Sequence, residues 1–110
     1  MKKIIENEVY KYKLQMKEYY NQSGQLTSFP ERKPLQCMVL KKFCDLLSTD
    51  ISYSENQLFS LISNYICFPQ KEVILKGLLF FEFLSFDKAK ECYTLNSDYK
   101  EHYLSFLGLQ

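Results

Sequence analysis

A single imidazole, His102, stands in the 110-residue chain. It would serve as a general base if a nucleophile or an orienting carboxylate sat at a defined spacing. In "SDYKEHYLSF" no such arrangement is readable, and the plain reading is a surface or packing histidine. Four cysteines, Cys37, Cys44, Cys67 and Cys92, are the other candidates for metal or redox chemistry. They form no C-x-x-C pair, and one histidine cannot complete a zinc-finger pattern. Cys37 and Cys44 lie seven apart on one predicted helix stripe, where a free thiol behaves as a small buried hydrophobe. Glu55, Glu72 and Glu82 form no cluster at metal-ligand spacing, and Glu55 has a structural role in a first helical turn. Gly24 belongs to no phosphate-binding pattern and reads as a turn glycine. The expectation is a non-enzyme with no catalytic, cofactor or metal site.

The remaining chemistry is positive charge. Arg32 is the only arginine, and its planar fork suits a carboxylate or phosphate. With Lys33, Lys41 and Lys42 it makes the best basic group. Lys71 and Lys76 follow on a later helix, and Lys88 and Lys90 at a hairpin tip. Arg32, Lys33, Lys71, Lys76, Lys88 and Lys90 are therefore the candidate nucleic-acid or anion contacts. Against this, Glu31, Asp45, Asp87 and Glu91 stand close enough in sequence to balance them as solvated charges.

The net charge is +1, whereas a dedicated nucleic-acid binder shows a basic excess or stripe. Residues 1–22 hold five lysines against three glutamates, and residues 83–110 three basic against four acidic groups. The small basic surplus thus lies in the first half. Hydrophobic residues make up 46%, enough for one domain with its own core. Nine Tyr and nine Phe point to an aromatic core and contact surface. "MKKIIENEVYKYK" has no apolar h-region, and no run approaches the roughly 20 apolar residues of a membrane span. A cytoplasmic protein without a signal peptide is expected.

These groups must be placed by elements. Ile5, Val9, Tyr12, Met16 and Tyr19 step by 4, 3, 4, 3 along a helix over 3–20. "NQSGQ" breaks it, and "QLTSF" (25–29) predicts a short strand. Pro34 suits the first turn of a helix over 35–47 that faces inward with Leu35, Met38, Val39, Phe43, Leu46 and Leu47. After an extended piece from residue 51, Ser54 and Gln57 form a capping box for a helix with Leu58, Phe59, Ile62, Tyr65 and Ile66 inward. Pro69 separates this from a helix over 70–81. The greasy stretch "EVILKGLLFFEFLSF" (72–86) then divides near Glu82. Val73, Ile74, Gly77, Leu78 and Phe81 read as a core face with Gly77 permitting close approach, and Leu75, Leu79 and Phe80 are left pointing outward. Strands over 82–86 and 91–95 flank "DKAK" as a hairpin. Asp98 is expected to cap a last helix carrying Tyr99, Tyr103, Phe106 and Leu107 up to Gly108.

The expected fold is α+β and mainly helical. Residues 1–21 form an N-terminal amphipathic helix, residues 22–96 a winged-helix-like three-helix core with a C-terminal β-hairpin wing, and residues 97–110 a C-terminal helix. Residues 22–95 also resemble the domain of unknown function 2087 family. The resemblance rests on Gly24-x-Leu26 before Pro30-x-Arg32, Leu40 with Phe43, Tyr53-Ser54-Glu55, Phe83-Leu84 and Tyr93. It implies a small winged-helix-like domain of a kind found alone or behind arsenical-repressor-type helix-turn-helix domains. The chain departs from the family where a basic pair is usual (Leu75 and Lys76), where an arginine follows the wing's F-L (Phe86), and where a middle-helix asparagine is common (Phe59).

Two function classes follow. One is a non-enzymatic, transcription-associated regulatory or protein-interaction domain acting as a homodimer or on a protein partner. Its contact residues would be Ile5, Val9, Tyr12, Met16, Tyr19, Tyr99, Tyr103 and Phe106, with the first helix seam docking either on its own domain or on a second chain. The other is a DNA-binding transcriptional regulator using helix 70–81 and wing 86–91.

Overall fold

The computed structural model describes residues 2–108, with side chains from residue 9 onward. Helix α1 (Lys2–Met16) runs into a single 3-10 turn (Lys17–Tyr19), splitting the one helix expected over 3–20. Asn21 then stitches a tight loop. Its side-chain oxygen accepts from Gln25 N at 3.0 Å, its carbonyl accepts from Gly24 N at 3.0 Å, and Gly24 takes φ +81°. A left-handed residue there costs glycine nothing.

The strand expected over 25–29 contracts to Leu26 alone. Leu26 N donates to Tyr65 O at 2.8 Å and Leu26 O accepts from Cys67 N at 2.9 Å, bridging Tyr20 on one side and Ile66 on the other. Those partners are C-caps with extended backbone, and each forms only an isolated bridge with Leu26. Leu26 is nonetheless fully buried.

Helix α2 (Lys33–Cys44) is the centre of the fold, with Pro34 in its first turn. Leu35, Cys37, Met38, Val39, Leu40, Phe43 and Cys44 are all buried, because α1, α4 and α5 pack around it. It stops a turn short of the expected residue 47. Leu46 N and Leu47 N bond back to Phe43 O and Cys44 O, which leaves Leu46 71% exposed where the stripe placed it inside. The chain turns there because Ser48 N donates to Tyr53 Oη at 2.9 Å, fixing the route into β1 (Ser52–Ser54).

Helix α3 (Glu55–Tyr65) starts on the expected capping box. Gln57 N donates to Ser54 Oγ at 3.1 Å, and Ser54 N donates to Gln57 Oε1 at 2.8 Å. Helix α4 (Lys71–Phe80) lies against both α2 and α3. This double contact widens its buried arc, so Leu75 is buried at 7% exposure instead of pointing outward, while Leu79 and Phe80 do point outward. A Cβ on Gly77 would come within 2.6 Å of Leu40 Cδ1, the close approach expected of that glycine.

α4 ends in a Schellman arrangement. Phe83 N donates to Leu78 O and Glu82 N to Leu79 O, and Glu82 sits at φ +61° where glycine is usual. This turn occupies the first residues expected of the hairpin, so the strands are β2 (Leu84–Asp87) and β3 (Cys92–Leu95). At the tip Asp87 Oδ1 accepts from Ala89 N and Lys90 N. The antiparallel sheet has the order β1-β3-β2, with Tyr93 in register with Tyr53 on one side and Phe86 on the other. Tyr93 and Leu95 face the core, the period-2 burial of a one-sided sheet.

Helix α5 (Tyr99–Phe106) closes the fold on α2, with Tyr99 Oη donating to Asp45 Oδ1 at 2.7 Å. Asp98 occupies the N-cap position but makes no capping bond, because its carboxylate is turned to His102. The molecule is α+β, with five helices and one three-stranded antiparallel sheet among the described residues.

Candidate functional site

Three surfaces gather the groups singled out by sequence. The first is the outward face of α4 with the hairpin tip. On α4 the exposed side chains are Glu72, Lys76, Leu79 and Phe80. Lys71 lies 5.9 Å over the Phe59 ring and is directed to α3. Lys88 and Lys90 are exposed at the tip beside Asp87 and Glu91, a balanced set of charges. Arg32 and Lys33 are at the opposite end of α2 from Lys41 and Lys42, so the sequence's best basic group is divided along the helix. Lys33 Nζ stands 4.6 Å over Phe80. Arg32 is exposed on a separate depression lined also by Gln15, Tyr19 and Glu31.

The second surface is an aromatic notch between the end of α4 and α5, lined by Phe80, Phe81, Glu82, His102, Ser105 and Phe106. Phe81 meets Phe80 and Phe106 edge-to-face at 5.0 and 4.8 Å. His102 Nδ1 lies 3.5 Å from Glu82 Oε2 and its Nε2 lies 3.2 Å from Asp98 Oδ2. Sequence reasoning missed both carboxylates. The Asp98–His102 spacing of four on a helix was an available signal, whereas nothing local ties Glu82 to His102.

The third is a cleft between α1, α2 and α5 with a volume of about 380 Å³. It brings Lys13 from α1 and Lys17 from the following 3-10 turn together with Lys41 and Lys42 from the end of α2, over a floor of Met16, Met38 and Tyr103. Lys41 Nζ reaches Asp45 Oδ2 at 2.9 Å and lies 5.4 Å from the Tyr103 ring centroid. Lys42 Nζ stands 4.3 Å over Tyr20. The sequence reading recognised Lys41 and Lys42 but did not join them to Lys13 and Lys17, because the joining is made by the α1–α2 packing.

The expected contact residues divide. Val9 and Tyr99 are buried at 8% exposure, and Met16, Tyr19 and Tyr103 pack partly buried on the core. The first helix seam thus docks on its own chain, where α1 lies along α2. Tyr12 is half-buried and Phe106 is 44% exposed. The side chain of Ile5 lies outside the described residues. Leu46, Ile51 and Leu61 form a further exposed apolar area that the sequence reading did not foresee.

The thiols of α2 are held protonated. Burial pushes Cys37 up to about 12 and, with Asp45 adding to it, pushes Cys44 up further. Neither has the thiolate character that nucleophilic or redox chemistry uses. Burial also raises Tyr65, whose hydroxyl donates to Val39 O at 2.7 Å while accepting the hydroxyl of Tyr20. Among the described residues no group of three or more His, Cys, Asp or Glu side chains is placed to hold a metal ion. No helix among them is long and apolar enough to cross a membrane.

Comparison with protein-family models, with curated proteins and with solved structures finds no match for this chain.

Proposed function

We propose that the chain is a winged-helix-like interaction module, non-enzymatic and dimeric, that serves transcription-associated regulation through protein contact. The order α2-β1-α3-α4-β2-β3 with sheet order β1-β3-β2 supports the winged-helix reading. It also agrees with the resemblance of residues 22–95 to the domain of unknown function 2087 family, which is part of this proposal. In that reading α4 stands where a recognition helix would.

One observation carries the choice of protein over DNA. The outward face of α4 offers Glu72, Lys76, Leu79 and Phe80, with Phe80 62% exposed. Base edges are read by side chains that donate or accept hydrogen bonds, and a carboxylate repels the phosphates on either side. One lysine among two large apolar groups and a glutamate fits a protein surface better. Lys33 from α2 joins this face over the Phe80 ring, and Lys71 is turned to Phe59 on α3.

Light scattering after size exclusion tests this reading. A dimer converted to monomer by Leu79→Ser with Phe80→Ser supports it, and a wild-type monomer at high concentration refutes the dimer. The second reading, DNA binding through α4 and the hairpin, draws on Lys76, Lys88 and Lys90, which enter no ion pair among the described residues. Its test is a gel shift on duplex DNA at low salt. Binding that weakens in Lys88→Glu with Lys90→Glu, with a shallower salt slope, would favour it.

A further inference from the structure

We infer that the cleft between α1, α2 and α5 is a binding site for a single-chain anionic amphiphile, a carboxylate or phosphate carried on an aliphatic tail. Four lysines, Lys13, Lys17, Lys41 and Lys42, line one cavity of about 380 Å³ in a protein whose net charge is only +1. One carboxylate, Asp45, shares that lining, and it is already engaged on both oxygens. Its Oδ2 takes Lys41 at 2.9 Å and its Oδ1 takes the Tyr99 hydroxyl at 2.7 Å. Among the described residues Lys13, Lys17 and Lys42 enter no ion pair, and the lining sets four lysines against one carboxylate.

The floor decides the kind of anion. Met16 and Met38 are unbranched, polarizable side chains that adapt to an aliphatic tail, and the Tyr103 ring lies beside them. A cleft of this size, with an apolar floor beneath a lysine-rich rim, suits a small ligand that is apolar at one end and anionic at the other. The phosphates of a duplex or an inorganic anion need the lysines but not the methionines. The site is also built across α1, α2 and α5, so an occupant ties the two terminal helices to the centre of the fold. The inference is independent of the dimer reading, because its residues are not those of the α4 face.

The test is a titration of the ¹⁵N-labelled full chain with octanoate, followed by amide shifts and by calorimetry, beside octanol and inorganic phosphate at matched concentrations. Octanoate is expected to shift the amides around Lys13, Lys17, Lys41 and Tyr103 saturably and to bind at least about tenfold tighter than either control. Lys13→Glu with Lys17→Glu, both exposed positions, is expected to weaken octanoate by about tenfold or more while unfolding behaviour stays unchanged. Met38→Gln, read by the same shifts, weakens octanoate but not the residual binding of phosphate. Equal binding of octanol would remove the role of charge, and equal binding of phosphate would remove the role of the floor. Shifts elsewhere on the molecule, or binding to phosphatidylglycerol vesicles with none to octanoate, would also overturn the assignment.

Discussion

Replacing Gly77 by alanine sets two opposing effects against each other, and the structure says which should win. Alanine in a helix interior is favoured over glycine by about 1 kcal/mol. The added Cβ, however, would stand 2.6 Å from Leu40 Cδ1, roughly 1 Å inside ordinary carbon–carbon contact. Leu40 is fully buried on α2, and its terminal methyl must shift to make room for the new Cβ. Overpacking of this kind costs about 1–3 kcal/mol. Gly77→Ala is therefore expected to destabilise by about 1 kcal/mol net, against its helix propensity.

A double-mutant cycle isolates the cause. Leu40→Ala alone should cost about 2–5 kcal/mol through lost burial and the cavity left behind. In that background the new Cβ meets no methyl, so Gly77→Ala should become stabilising by about 1 kcal/mol. The coupling is then about 2 kcal/mol, well above the roughly 0.5 kcal/mol scatter of independent sites. Urea unfolding of the four proteins, with equal m-values, measures it. If Gly77→Ala stabilises the wild-type chain, or if the two changes add, the close approach of α4 to α2 is wrong.

Three further outcomes are expected. Tyr99→Phe removes the bond to Asp45, and should cost about 1 kcal/mol, with faster amide exchange confined to α5; uniform exchange across the chain would contradict a local anchor. Burial raises Cys37 from 9.0 to about 12 in the folded chain and raises Cys44 in the same direction. Since the folded values lie above the unfolded ones, that stability is complete below pH 9.0 and is lost as pH climbs toward 12. The loss should be about 1.4 kcal/mol per pH unit for each thiol, and Cys37→Ala should flatten it by about one proton; an unchanged slope in the variant would count against the burial argument. Finally, Glu82→Gly should raise stability by about 1 kcal/mol, because a side chain at φ +61° is unfavourable by about 1–2 kcal/mol and the exposed contact with His102 returns little of it. A fall in the thermal midpoint would mean that the Glu82–His102 contact outweighs the backbone conformation.

What could be read ahead of the structure was what depends on neighbours in sequence. Ser54 and Gln57 cap α3 because both halves of the box are three residues apart, and Cys37 and Cys44 are buried because seven residues return to one face. Gly77 signalled a close approach because no other residue removes a Cβ. The failures share a different property. Leu46 continues the α2 stripe in perfect period, yet the helix has ended before it, since a bond between Ser48 and Tyr53 redirects the chain. Leu75 falls outside the single stripe of α4, yet α4 is pressed between two helices and buries more than a stripe.

The same distinction governs the charges. Counting lysines along the chain divided them among segments and weighed each against its nearest carboxylate, which is how a balanced surface was expected. The fold regroups them. Lys33 comes from α2 to the Phe80 ring on the α4 face, Lys71 turns to Phe59 on α3, and Lys13 and Lys17 join Lys41 and Lys42 although more than 20 positions separate the pairs. Aromatic abundance thus acts on the electrostatics as well as on the core, because a ring face fixes where an ammonium sits without neutralising it. The outward face of α4 keeps two large apolar side chains, Leu79 and Phe80, while four lysines gather at the cleft between α1, α2 and α5. Net charge near zero is therefore compatible with a lysine-rich cleft, and a titration of that cleft is a sharper probe of this chain than a search for sequence-specific DNA.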